Sequence, residues 1–175
     1  MQLVGQVLRH LKQIQVDGLA RLDGGLLVSG RTVIEGVPID RFLPRGLVDY
    51  AMTTTPSAAF NALTDLLIGK FIGLSLGRRY RITVEVTGHA GTTGDQFTMF
   101  IKDDSNNIYY FMRHSNMTAA ILETWNFYAI VDGDNTTKQF KLSGQRTGGT
   151  GNMVTDSGAT NPTTLLVEDI GSAGI

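Results

Sequence analysis

Cysteine is absent from this 175-residue chain. That excludes disulfides, thiolate nucleophiles and Cys-ligated zinc or iron–sulfur centres, and leaves the compartment open. Charge is scarce as well: Asp, Glu, Lys and Arg together make up 18%, below the usual quarter. The 15 Lys and Arg against 16 Asp and Glu leave a net charge of -1. A nucleic-acid binder normally carries a basic excess or stripe, so no nucleic-acid partner is expected. No apolar run is long enough for a membrane span, because the most apolar stretch, Leu63 to Leu76, is interrupted by Asp65 and Lys70. The first residues, MQLVGQVLRHLKQ, lack the basic start, apolar run and cleavage site of a signal peptide. The expectation is a soluble chain that does not insert into membranes and is not exported by the usual route.

Apolar residues and glycine are plentiful. Hydrophobic residues reach 42%, enough to bury a core and argue against disorder. The length fits one globular domain plus a short appendage. The 21 glycines against 4 prolines, with abundant threonine and few Lys or Glu, lean towards β structure.

A repeat organises the amino-terminal part. Glycine recurs every six residues at Gly18, Gly24, Gly30 and Gly36, closing the hexads QIQVDG, LARLDG, GLLVSG and RTVIEG. Two residues before each glycine stands an aliphatic one (Val16, Leu22, Val28, Ile34), and two further back a mostly apolar column (Ile14, Ala20, Leu26, Thr32). Positions two apart share one face of a strand, and the glycine after them permits a tight corner. The unit is that of a β-solenoid, with a plain β-meander as the alternative. Four hexads hold too little apolar area to fold alone, so a homotrimeric stalk over 13–36 is expected, cored by Ile14, Val16, Leu22, Leu26, Val28 and Ile34. Ahead of it, Leu3, Val4, Val7, Leu8 and Leu11 recur at helical spacing, predicting a short amphipathic helix over 1–12 that opens a trimeric bundle or packs on its own domain.

Pro38 and Pro44 bracket a neck at 37–44, and residues 45–175 read as one β-rich domain. Asp49–Thr55 reads as a first strand or an extended arm, and strands are expected at Arg81–Thr87, Phe97–Lys102, Ile108–His114, Asn126–Val131, Lys138–Gln145 and Thr163–Glu168. Leu63–Leu76 reads as either a strand pair or a helix. In Arg81–Thr87 the alternation puts Ile82, Val84 and Val86 inward and Arg81, Thr83, Glu85 and Thr87 outward. About eight short strands separated by turn residues suggest a sandwich, with a jelly roll as the expected form. Ile108–His114 and Asn126–Val131 are apolar on both faces, so the second face should be covered, most simply by a subunit interface.

Chemistry is thin. His10, His89 and His114 have no ligand spacing, and no GxSxG, HExxH or phosphate-loop pattern occurs. TGGTGN at 147–152 lacks the lysine and the strand-to-helix setting of a phosphate loop and reads as a flexible hairpin or loop. The acidic turns Asp103–Asn107 and Asp132–Asn135 offer oxygen ligands of the kind calcium accepts, but are ordinary turn chemistry too. Tyr109, Trp125 and Tyr128 could form an aromatic platform for a sugar, or pack in a core or interface. The reading has no catalytic residue, no cofactor and no metal.

Three segments carry a resemblance: RRYRITVEVTGHAGTTGDQFTMFIKDD, TTKQFKLSGQRTGGTG and the closing NPTTLLVEDIG. Gly77 with Tyr80, then Phe140, Lys141 and Leu142, then Leu165 to Gly171 resemble the terminal β-sandwich of small fibre and minor tail proteins of tailed bacteriophages. The resemblance covers roughly Thr53 to Gly171. It implies a mainly β, trimeric, non-enzymatic virion protein that contacts other virion proteins and a host cell-surface glycan or protein. A capsid decoration or head-fibre protein, or a carbohydrate-binding module, are the alternatives.

Overall fold

The computed structural model describes residues 33–34, 37–38 and 44–173, all within one unit, Val33–Ile175. The predicted helix over 1–12 and the stalk positions Ile14, Val16, Leu22, Leu26 and Val28 lie outside the described residues. Ile34 falls in β1 (Val33–Ile34), which pairs antiparallel with β2 (Val37–Pro38).

The rest is strand, and among the described residues there is no helix. The order is β3 (Gly46–Thr53), β4 (Thr64–Gly73), β5 (Arg78–Ala90), β6 (Asp95–Lys102), β7 (Ile108–Met117), β8 (Glu123–Asp132), β9 (Thr137–Gly148), β10 (Met153–Thr155) and β11 (Thr163–Ser172). Two antiparallel sheets form. The first runs β3-β11-β5-β8, with short β10 added to β5, and the second runs β4-β9-β6-β7. Apart from the β6–β7 hairpin and the step from β10 to β11, successive strands cross between sheets, the jelly-roll arrangement.

Alternation drives the assembly, because each strand offers every second side chain to the gap between sheets. In β5, Tyr80, Ile82, Val84 and Val86 point inward; Leu165 and Val167 of β11 and Phe127, Ala129 and Val131 of β8 join them. Phe97, Met99 and Ile101 of β6 and Phe140 and Leu142 of β9 face them from the second sheet. Each large side chain so buried contributes about 1.5–3 kcal/mol. Phe60, on the connection between β3 and β4, caps one end. Its ring meets Phe97 edge-on at 6.2 Å, and its backbone exchanges hydrogen bonds of 2.9 and 2.8 Å with Met153.

Leu63–Leu76 holds a single ten-residue strand, β4, neither helix nor strand pair. Register shifts between Asp65 and Leu67 and between Ile68 and Phe71 break the two-residue period, which is why the apolar spacing looks ambiguous. Thr87, expected outward, is buried, because its hydroxyl meets Thr124 at 2.8 Å and donates to Asn161 Oδ1 at 3.2 Å.

TGGTGN is not a free loop. Thr150 and Gly151 donate backbone N–H bonds of 3.0 and 3.1 Å to Oδ1 of Asp95, which is buried. Gly149 sits at φ +84, and a Cβ there would lie 2.0 Å from the same oxygen. The glycines let successive amides close around a carboxylate, so they serve a protein anion where a phosphate loop would serve a ligand.

Candidate functional site

β8 and β7 are edge strands of opposite sheets, and a cleft of about 340 Å³ opens between them. Tyr109, Tyr110 and Met112 line it from β7, and Asn126, Phe127, Tyr128 and Ile130 from β8. Tyr110 stacks on Phe127 with ring centroids 6.1 Å apart.

The three predicted recognition aromatics separate here. Tyr128 is 56% exposed on the outer face of the first sheet. Tyr109 is half-buried and its hydroxyl is committed: it donates to Asp103 Oδ2 at 2.9 Å and accepts from Lys138 Nζ at 3.0 Å. Burial pushes this phenol above its ordinary range, with the Lys138 bond pulling the other way. Trp125 is a correction, since at 4% exposure it is core, meeting the His114 ring edge-on at 5.9 Å. Its position in β8 follows the inward set with Phe127 and Ala129, so a surface platform of Trp125 with Tyr128 does not form.

The acidic turns are occupied by the chain's own donors. Asp103 accepts from Asn107 N and Nδ2, each at 2.8 Å, besides Tyr109. Asp104 accepts from Gln139 N at 3.2 Å. Asp134 accepts from Thr136 N at 3.1 Å and pairs with Lys138, while Asp132 pairs with Arg79 at 2.8 Å. Among the described residues no group of three His, Asp or Glu side chains converges as metal ligands. His89 pairs with Asp156 and His114 with Glu123, each at 2.6 Å.

Two features lack a sequence signal. Arg78 and Asp169, 91 residues apart, form a buried two-bond pair with both residues 2% exposed. The second is on the outer side of the second sheet, where Lys102 and Lys141 stand directly opposite each other. Their repulsion is relieved by Asp65, at 3.5 and 3.1 Å, and by Asn106 Oδ1, at 3.1 and 3.3 Å. Ser143 donates a further 2.6 Å bond to Asp65.

Burial pushes Asp65 and Asp103 up, but the bonds from Ser143 and Lys141, and from Asn107 and Tyr109, outweigh it and hold both below the ordinary 3.8. The Thr136 hydroxyl, then Lys138, hold Asp134 at about 2. A carboxyl depressed on folding adds stability that is full above its unfolded pKa and lost as pH falls through the folded one. Urea unfolding should therefore give a midpoint that falls below about pH 4 as these carboxyls take up protons. Asp65→Asn should make that acid slope shallower; a midpoint that rose on acidification would contradict the assignment.

The exposed apolar residues fall in two sets. On the first sheet, Leu47, Tyr50 and Met52 of β3 and Tyr128 and Ile130 of β8 are all at least two-fifths exposed. On the second, Ile68, Phe71, Ile108 and Phe111 stand around the lysine pair. The covering expected for the second faces of β7 and β8 is thus not supplied by the chain's own described residues.

No protein-family model and no curated protein matches this sequence. Distant similarity to solved structures exists. An insecticidal delta-endotoxin, Cry8Ea1 from Bacillus thuringiensis, is 11% identical with a TM-score of 0.40 over 63% of this chain. A CBM4 structure is 18% identical with a TM-score of 0.34 over 72%, and the VP2 protein of infectious bursal disease virus is 11% identical with a TM-score of 0.36 over 90%. This chain spans 19%, 77% and 41% of those chains' own lengths, respectively.

Proposed function

We propose that this chain is a virion structural protein of the tailed-bacteriophage fibre or minor-tail type, working as a homotrimer through assembly and contact, without turnover. The observation that carries the reading is the pair of exposed apolar sets, Leu47, Tyr50, Met52, Tyr128 and Ile130 on one sheet and Ile68, Phe71, Ile108 and Phe111 on the other. Large apolar side chains left exposed along both edges of one sheet and on the outer face of the other suit a rigid sandwich to packing among neighbours. The resemblance of Gly77 with Tyr80, Phe140–Leu142 and Leu165–Gly171 to phage fibre domains supports the virion setting. Other virion proteins and a host-surface glycan or protein are its partners, and a capsid decoration protein is the alternative placement.

Light scattering on a sizing column tests the assembly. The expected native mass is about 57 kDa, three times 19.0 kDa. A species at 19.0 kDa would overturn the trimer. If that monomer also bound a glycan saturably, and lost it in Tyr128→Ala, the carbohydrate-binding reading would replace this one. Immunogold labelling of virions places the protein on tail or head.

A further inference from the structure

Resting on the trimer reading, we infer that β8 of one copy pairs edge to edge with β3 of the next, so that the first sheet continues from subunit to subunit. β3 and β8 are the two edges of that sheet; among the described residues β3 pairs only with β11 and β8 only with β5. Edge strands are normally protected by Lys, Pro, bulges or a covering element. Among the described residues β8 has none of these. Its sequence, ETWNFYAIVD, carries charge only at its ends, and it pairs with β5 from Gly88↔Glu123 to Arg79↔Asp132 without a register shift. Ten residues of straight, apolar edge are a template for another strand.

The neighbouring strand is identified by sense and by side chains. The path β3-β11-β5-β8 has four strands, each antiparallel to the next, so β3 and β8 run in opposite directions. Repeating the sheet therefore sets β8 antiparallel to β3 of the partner subunit. The rows across the outer face are Tyr128–Thr83–Leu166–Tyr50, Ile130–Arg81–Glu168–Leu47 and Asn126–Glu85–Thr164–Met52. Continued across the junction, they place Tyr128 beside Tyr50 of the partner subunit and Ile130 beside Leu47 of the partner subunit. Aromatic and aliphatic pairs thus meet their like, which is what stabilises adjacent strands. Further along, Asp132 keeps its own Arg79, and Glu123 meets no acid.

The alternative, full-length pairing of β8 with a second β8, sets Glu123 against Asp132 at both ends, and like charges opposed across strands are destabilising. Because the β8–β3 contact uses two different surfaces, it is heterologous, the kind that builds a ring where the rotation closes, here the ring of three that the trimer reading requires.

The absence of cysteine makes a clean test available. Tyr50 and Tyr128 are 44% and 56% exposed, so Tyr50→Cys and Tyr128→Cys leave the core untouched. Neighbouring residues on paired strands lie within disulfide reach. The double variant and each single variant are mildly oxidised and run on a non-reducing denaturing gel. The expected result is a covalent ladder up to about 57 kDa for the double variant, collapsing on reduction, and only the single chain of 19.0 kDa for either single variant. Dimers from Tyr128→Cys alone would overturn the pairing in favour of β8 on β8. A native trimer that gives no cross-link would overturn this interface and leave the trimer standing, whereas a native monomer would overturn the trimer reading itself.

Discussion

Asp169→Ala is expected to cost about 3–5 kcal/mol, because it leaves Arg78 buried with its carboxylate gone. Both residues are 2% exposed, and Nε and Nη2 of Arg78 donate to the two Asp169 oxygens at 2.9 and 2.5 Å. Gly171 N also donates to Asp169, at 3.0 Å, fixing the irregularity where β11 shifts register after Asp169. For a domain of this size the loss corresponds to a fall in melting temperature of roughly 6–20 °C, read by calorimetry. The double variant Arg78→Met with Asp169→Leu should recover much of the loss, since apolar residues of similar volume often replace a buried pair without net cost. Recovery will be incomplete because Gly171 N stays without its acceptor. A single variant that melted with the wild type would show that the buried pair contributes nothing.

Phe97→Ala comes next, at about 3–5 kcal/mol. Phe97 is 1% exposed and supports the edge-on ring of Phe60, so truncation removes a core side chain and loosens the cap over that end of the sandwich. Gly144 lies close beneath; a Cβ there would already come within 2.9 Å of the Phe60 ring, so this corner is filled. Phe111→Ala is the control. With Phe111 57% exposed, its loss should change monomer stability by no more than about 0.5 kcal/mol. Urea unfolding of the two variants side by side checks both. Equal costs would mean that the inward and outward assignment of β6 and β7 is wrong.

The strands that read most clearly are those in which burial alone sets the pattern. Val84 and Val86 alternate with Glu85 and are buried on the expected face; in β11, expected only as a strand, Leu165 and Val167 are buried. The two-sided apolar character of β7 and β8 likewise anticipates the exposure of Phe111, Tyr128 and Ile130. β4 is harder to read because its register shifts disturb the period that makes a strand visible. The recognition aromatics were legible only as residue types. Trp125 and Tyr128 are three apart in one strand, so the pleat sends them to opposite faces, one into the core and one to the surface.

Local order, then, was determined by the sequence: the β class, the turn chemistry and the inward side of Arg81–Thr87 all follow from neighbours a few residues apart. Tertiary structure alone decided the rest, because it joins residues that no local pattern connects. Arg78 finds Asp169, Lys102 and Lys141 share Asp65, and TGGTGN closes on Asp95 because the jelly-roll order of strands brings them together. The same order puts β3 and β8 at the two edges of one sheet among the described residues, with apolar side chains such as Tyr50 and Tyr128 exposed there. An edge is a property of strand order, and strand order is settled by long-range packing of the two sheets.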